Sequence, residues 1–166
     1  MTSGSWKAFQ SAQPVFAGIV KARFGLYKHH VLATLRKDGS PRLSGLEVNF
    51  SLGELWLGMM PGSRKALDLL RDPRFAVQAN PGPDAEMVDG DVRISGRAME
   101  ETDPEILARF VEETKPPEPF HLFRTEIEEV VRTSVESEEM VLRLWRPGKP
   151  LRVIHRAADG SPPYEP

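Results

Sequence analysis

The chain has 166 residues, 40% of them hydrophobic and 28% charged, which fits one soluble globular domain with its own core. A formal charge of −2 offers no basic surface for nucleic acid, and no run of about eighteen apolar residues offers a membrane span. Without cysteine there is no disulfide, thiolate nucleophile or Cys-ligated metal, and the opening Met1–Lys7 lacks a basic-then-apolar secretory pattern, so the expected location is cytoplasmic.

Pro14, the recurrence of Phe16, Ile19, Val20 and Phe24, and Gly25 as a stop predict a helix within Gln13–Lys28. The period then changes to two. Val31–Arg36 reads as a strand, Lys37–Pro41 as a turn, Arg42–Phe50 as a second strand, Ser51–Gly53 as a turn and Glu54–Met60 as a third strand, together a β-meander. Ser63 is the N-cap of a helix with Ala66, Leu67 and Leu70 on its apolar face, stopped by Asp72-Pro73. Phe75–Ala79 returns to strand, and Asn80–Asp89 is a surface loop. Asp91–Glu100 alternates, with Val92, Ile94, Gly96 and Ala98 on one face and Arg93, Ser95 and Arg97 on the other. A helix starting at Asp103-Pro104 turns Ile106, Leu107, Phe110 and Val111 inward, and Lys115–Pro119 is a proline-rich connector. Ile127–Val135, Met140–Trp145 and Leu151–His155 are the last strands. The polar, Pro-rich tail from Ala157 is expected to be disordered, leaving residues 1–156 as the folded domain.

Short antiparallel strands with interspersed helices indicate an α+β architecture built on a closed or partly closed barrel. The absence of βαβ alternation and of Gly-x-Gly-x-x-Gly argues against a doubly wound dinucleotide fold. His29, His30, His121 and His155 have no metal-site spacing, and neither Ser44 nor Ser95 sits in a Gly-x-Ser-x-Gly elbow. No metal and no serine hydrolase chemistry are expected. Glu126, Glu128, Glu129, Glu136, Glu138 and Glu139 read as a solvated strand face answered by Arg93, Arg97 and Arg132.

One segment conflicts with its own helix. Arg64 and Lys65 fall in a first turn, where the macrodipole disfavours each cation by roughly 0.3–1 kcal/mol. A bound anion removes the conflict: free N–H groups, the Ser63 hydroxyl and two cations together make a phosphate site. The alternative is an ion pair from Arg64 to Asp68 one turn on, with Lys65 solvated.

Gly62-Ser63-Arg64-Lys65-Ala66, placed after a β-meander and before Asp72-Pro73-Arg74, resembles the flavin-phosphate segment of the pyridoxamine-phosphate-oxidase-like superfamily. The run Val31–Arg42 is similar to that group's opening hairpin, and the likeness extends over roughly Gln13–Arg156. It implies an antiparallel split β-barrel of about six to eight strands with flanking helices, homodimeric, with FMN at the dimer interface. Position by position, it implies Arg42, Ser63, Arg64 and Lys65 on the flavin phosphate, Ser44 and Gly45 against the ring, and Met59 and Met60 along ring and ribityl chain. It further implies Trp145 reaching the cofactor of the second subunit. Core packing is the alternative for Met59, Met60 and Trp145, and a solvated strand position for Arg42.

The vitamin-substrate half of the pattern is missing. Glu47 replaces a phosphate-binding lysine, Asp91 a flavin-contacting glutamine, and Leu151 and Val153 an arginine–histidine pair. The Tyr-x-x-x-Arg-x-x-x-Ser segment has no counterpart between Pro104 and Phe123. The resemblance therefore implies a flavin-dependent oxidoreductase acting on a small molecule other than pyridoxamine phosphate. Two alternatives stand beside it, the first on the same fold and the second of a different class. One is a deazaflavin-dependent reductase whose longer cofactor tail would use Lys21, Arg23 and Lys28. The other is a non-catalytic flavin- or haem-binding module with one of the four histidines as ligand. A half-open barrel also leaves an apolar flank for the second subunit, for which Leu46, Leu55, Trp56 and Leu57 are the candidates.

Overall fold

The computed structural model of the chain describes residues 4–83, 87 and 89–166. Strands β1 (His30–Leu35), β2 (Pro41–Leu46), β3 (Val48–Ser51), β4 (Glu54–Met59), β5 (Arg74–Gln78), β6 (Asp91–Glu100), β7 (His121–Glu136), β8 (Glu139–Trp145) and β9 (Arg152–Arg156) form one antiparallel sheet. The main path runs β2-β1-β5-β6-β7-β4-β3, and β8 and β9 continue from the far half of β7. β7 is the fork: it pairs with β4 over His121–Arg124 and with β8 over Val130–Glu136.

The two ends of the main path, β2 and β3, are joined by Glu47 alone. The sheet must therefore curl until its edges are neighbours in the chain, although they do not pair. This is a split barrel. It corrects the expectation of a single strand over Arg42–Phe50, because the backbone has to leave one edge at Leu46 and join the opposite edge at Val48.

β6 lies along β7 with one slip: Ser95 faces Glu129 while Gly96 faces Ile127, so Glu128 is an extra, bulged residue. A Cβ on Gly96 would stand 1.9 Å from the carbonyl oxygen of Glu126, so the close approach of the strands requires glycine there. The predicted inner face of β6 is buried, and Val92, Ile94 and Ala98 pack with Leu32, Leu55, Leu57, Val77 and Val130.

Helix α2 (Pro14–Gly25) covers this core with Phe16, Ala17, Val20 and Phe24, while Ile19 faces solvent. A helix that the pattern did not suggest, α1 (Trp6–Ala12), precedes it; Ser5 caps it and Trp6 and Phe9 are buried. Helix α4 (Pro104–Thr114) starts at the Asp103 cap and presses Phe110 onto Trp56 and Leu122 in a small second cluster. No helix among the described residues is long and apolar enough to cross a membrane.

The acidic face is answered as expected. Glu129 receives Arg93 and Arg146, Glu136 receives Arg132 and Arg143, and Glu126 faces Arg97 in register. Bonds from Arg143 and Ser134 hold the Glu136 carboxyl at about 2. The tail expected to be disordered instead folds back. Tyr164 and His155 exchange backbone bonds of 2.8 and 3.0 Å, and the Tyr164 hydroxyl donates to Glu139. The loop expected over Asn80–Asp89 lies partly outside the described residues.

Candidate cofactor site

Helix α3 (Arg64–Arg71) organises the site. Its entry is a left-handed Gly62, φ 68°, a conformation that glycine adopts without strain. Ser63 follows in an extended conformation, and its Oγ accepts the Ala66 N–H at 3.4 Å. The first turn carries no acidic residue, so Arg64 and Lys65 face the helix dipole uncompensated. The entry loop is tied to the start of β7: the Gly62 N–H donates to His121 Nε2 at 3.4 Å. With Nε2 accepting, the proton sits on Nδ1, which donates to Glu100 Oε1 at 2.7 Å.

One turn further on, Asp68 is buried and collects three donors. Its Oδ2 accepts from Arg42 Nε at 2.6 Å and Thr34 Oγ1 at 2.8 Å, and its Oδ1 from Arg71 Nη2 at 3.1 Å. Burial pushes this carboxyl up, but the bonds from Arg42, Thr34 and Arg71 outweigh burial and leave it below its usual value. Asp68 is thus filled by residues other than Arg64, and the Arg64–Asp68 pair considered from the sequence does not form. Arg64 is exposed and makes no ion pair among the described residues.

The inner face of α3 follows from the same contact. Ala66, Asp68 and Leu69 are buried, whereas Leu67 and Leu70, expected inward, are 44% and 48% exposed. The helix is rotated so that its carboxylate meets Thr34 and Arg42 on β1 and β2.

Arg42 is anchored through Nε, which leaves its two terminal nitrogens uncommitted. Ser44, two residues along the same face, has a buried Oγ with no hydrogen-bond partner. The Gly45 carbonyl accepts from Lys65 Nζ at 2.5 Å, lacing β2 to α3, and burial lowers the Lys65 pKa. Met60 is 72% exposed, and its carbonyl accepts the Ser63 N–H at 3.2 Å. The structure thus gathers Arg42, Ser44, Gly45, Met60, Ser63, Arg64 and Lys65 around the start of α3.

Met59 is 6% exposed and belongs to the core. Trp145 pairs with Val130 in its own sheet, is 2% exposed, and packs on Phe9 with ring centroids 4.7 Å apart. Sequence reasoning missed Thr34, Asp68 and Arg71, which hold Arg42, and Glu100 and His121, which hold Gly62. Asp68 was visible at helical spacing but assigned to the wrong arginine. His121 gave no signal, since it lies 59 residues from Gly62.

Arg23, offered from the sequence as a groove cation, is 4% exposed with Nε donating to the Gly90 carbonyl at 2.8 Å. Leu46, Leu55, Trp56 and Leu57 are all buried within the one chain, so none of them supplies an apolar flank. Besides Met60, exposed apolar residues on β1, β2 and α3 include Val31, Leu43, Leu67 and Leu70. Grooves among the described residues include one beside α4 and Phe120 and one beside the β8–β9 turn, and neither of these is lined by the site residues. The described residues hold no group of three His, Asp or Glu that could bind a metal ion.

A curled antiparallel sheet whose edges meet at one residue, with a cationic helix start laced to β2, defines a split-barrel protein. Residues 27–134 match the family model for pyridoxamine 5'-phosphate oxidase, and the chain belongs to that family. Among solved structures it is similar to PhzG from Burkholderia lata 383, in complex there with tetrahydrophenazine-1-carboxylic acid. The identity is 15% and the TM-score 0.57, over 90% of this chain and 91% of that one. It is also similar to the conserved hypothetical protein Rv2991 from Mycobacterium tuberculosis, at 24% identity and TM-score 0.56 over 69% and 81% of the two chains. HutZ, the heme storage protein from Vibrio cholerae, matches at 16% identity and TM-score 0.52 over 70% and 90%. At these identities the likeness is one of fold. No curated protein matches the sequence.

Proposed function

We propose that the protein binds FMN and works as a flavin-dependent oxidoreductase on a small molecule other than pyridoxamine phosphate. The observation that carries this reading is the charge state of the α3 entrance. Arg64 has no ion pair among the described residues, Lys65 is partly desolvated, and Arg42 is held by a buried carboxylate with its outer nitrogens uncommitted. Cations held this way at a helix start, with first-turn N–H groups beside them, suit a phosphate monoester.

The flavin ring supplies the hydride chemistry when bound, and no acid or base from the protein is obligatory for that. Arg42, Arg64 and Lys65 bind the phosphate, while Asp68 fixes the direction of Arg42. His121 and Glu100 fix the turn at Gly62 from which the phosphate-facing N–H groups start. Gly45, without a side chain, lets a flat ring approach β2. At the break between β2 and β3, Glu47 stands 3.5 Å from Lys28 and 3.4 Å from His29. A carboxylate there repels a substrate phosphate.

Three of the four histidines are engaged in ways that favour flavin over haem. His30 accepts the Asn80 N–H, His121 is bonded on both nitrogens, and His155 is paired with Glu139 and stacked on Tyr164. The burial of Arg23 removes one of the cations that a deazaflavin tail would use. A homodimer is part of the proposal. Leu43, Ala33 and Ala76 lie in register across β2, β1 and β5, beside Val31 and Gly45, as a small-residue face a second copy can cover. The absorption spectrum of the purified protein titrated with FMN tests the reading: a bound flavin spectrum supports it, and a haem or deazaflavin spectrum with no FMN uptake overturns it.

A further inference from the structure

Beside the fork of β7, away from the cofactor site, a groove of about 550 Å³ opens between Leu144, Pro147 and Pro150, with Glu128, Arg146, Lys149 and Arg152 around it. That volume lies within the range of small-ligand sites, about 300–1,000 Å³. Its walls are apolar, and the two prolines make them stiff, since a fixed φ and a closed ring leave little freedom to lose.

The charges around it differ in status. Arg146 is spoken for by Glu129, whose Oε2 it meets at 2.7 and 3.0 Å. Lys149 has no carboxylate partner among the described residues. Glu128 is the bulged residue of β7, and a bulge of this kind re-aims a side chain, here to the groove. Arg152 is occupied from an unexpected direction. Glu165, in the folded-back tail, places Oε1 3.1 Å from Arg152 Nε and accepts from Nη2 as well. The tail is held in place by the backbone bonds between Tyr164 and His155 and by the Tyr164 hydroxyl on Glu139. An apolar slot therefore ends at a guanidinium that already carries a carboxylate, brought there on a strap of the same chain.

We propose that this groove binds a monocarboxylate with an apolar body, whose carboxylate takes Arg152 and Lys149 in place of Glu165. The guanidinium fork matches a carboxylate, and Leu144, Pro147 and Pro150 take the apolar part. Glu128 opposes a second negative charge, so a ligand with one carboxylate is favoured over one with two. The tail then acts as an internal competitor, lowering apparent affinity by the fraction of molecules in which Arg152 is occupied. None of this depends on the flavin assignment, because the groove shares no residue with the cofactor site.

The probe is 3-phenylpropionate, titrated into the full chain and followed by methyl NMR at Leu144, with phenylsuccinate and phenethylamine alongside. Glu165→Gln, which leaves the Tyr164 contacts intact, is expected to tighten 3-phenylpropionate by about two- to fivefold, the range an exposed ion pair supports. Arg152→Gln and Lys149→Gln are each expected to weaken it, Arg152→Gln by about tenfold or more. Phenylsuccinate should bind more weakly than 3-phenylpropionate in the unmodified protein and recover in Glu128→Gln, and phenethylamine should not shift Leu144. Lack of binding to both the unmodified protein and Glu165→Gln, equal affinity with and without Arg152, or equal binding of the amine overturns the proposal. An unchanged affinity in Glu165→Gln overturns the competition by the tail.

Discussion

Asp68 separates two accounts of the cofactor site, because they predict effects of opposite sign. The residue is a carboxylate within the cationic cluster, so on charge alone Asp68→Asn should improve phosphate binding. On the structure it should do the reverse, since Asp68 orients Arg42 through a 2.6 Å bond and also holds Thr34 and Arg71. Asparagine offers one acceptor where three donors converge, and turns an N–H₂ group toward the rest. Breaking a fully buried pair costs about 3–5 kcal/mol. The Arg42 and Arg71 side chains are 20% and 38% exposed, so water takes over part of their solvation. The expected loss is then about 2–3 kcal/mol, still above the roughly 0.2–1 kcal/mol of a surface pair. Urea unfolding measures it, and an FMN titration of the same variant should show affinity lowered by about tenfold, one misdirected charge-assisted contact.

The pH dependence has a definite sign. The folded-state pKa of Asp68 lies below its ordinary 3.8, so its contribution to stability is complete above that value and is lost as pH falls through the folded pKa. The stability gap between the unmodified protein and Asp68→Asn should therefore close in acid, below about pH 4. A variant that loses less than about 0.5 kcal/mol, the scatter of ordinary surface substitutions, or that binds FMN more tightly, would refute the bracing role.

Other expectations are narrower. Gly96→Ala places a Cβ 1.9 Å from a backbone oxygen on the neighbouring strand, so it should cost about 3 kcal/mol or more in urea unfolding, at or above the top of the overpacking range. Leu43→Asp, at a side chain 71% exposed on the proposed dimer face, should shift light scattering from dimer to monomer while leaving the far-ultraviolet circular dichroism unchanged; a dimer unaffected by it places the interface elsewhere. With Glu47 directly after β2, the proposed ring-binding strand, pyridoxine and pyridoxamine phosphates should give no peroxide, and turnover of about 1 per second or more would contradict the substrate assignment.

What could be read from the sequence was what local rules decide. The alternation of Val92, Ile94, Gly96 and Ala98 fixed β6 to the residue, and Ser63 marked the start of α3, because a two-residue period and an N-cap are expressed within a few positions. What could not be read depended on contacts distant in the chain. Residues Arg42–Phe50 look like one strand until the sheet closes and forces a break at Glu47. Leu67 and Leu70 look like the inner face of α3 until Asp68 is claimed by Thr34, 34 residues away, and Arg42, 26 away. The short α1 carries only a capping serine and an aromatic pair three residues apart as its local signal. The tail looked disordered because its composition is polar, yet Tyr164 and Glu165 find specific partners on β8 and β9. For the proposed cofactor site the motif pointed to the cations at the start of α3, while Thr34, Asp68, Arg71, Glu100 and His121, which brace Arg42 and the Gly62 turn, came only with the fold.

The central claim is that the start of α3 binds the phosphate of FMN, and comparing FMN with riboflavin isolates that group. Each charge-assisted bond contributes roughly 1.5–3 kcal/mol, so the unmodified protein should prefer FMN by about a hundredfold or more. In Arg64→Ala/Lys65→Ala the preference should fall to about tenfold or less, with riboflavin affinity little changed and the urea midpoint lowered only by the loss of the single Lys65–Gly45 bond, since neither side chain belongs to the buried face of the helix. A double variant that keeps the full preference, or an unmodified protein that binds the two flavins equally, would contradict the assignment.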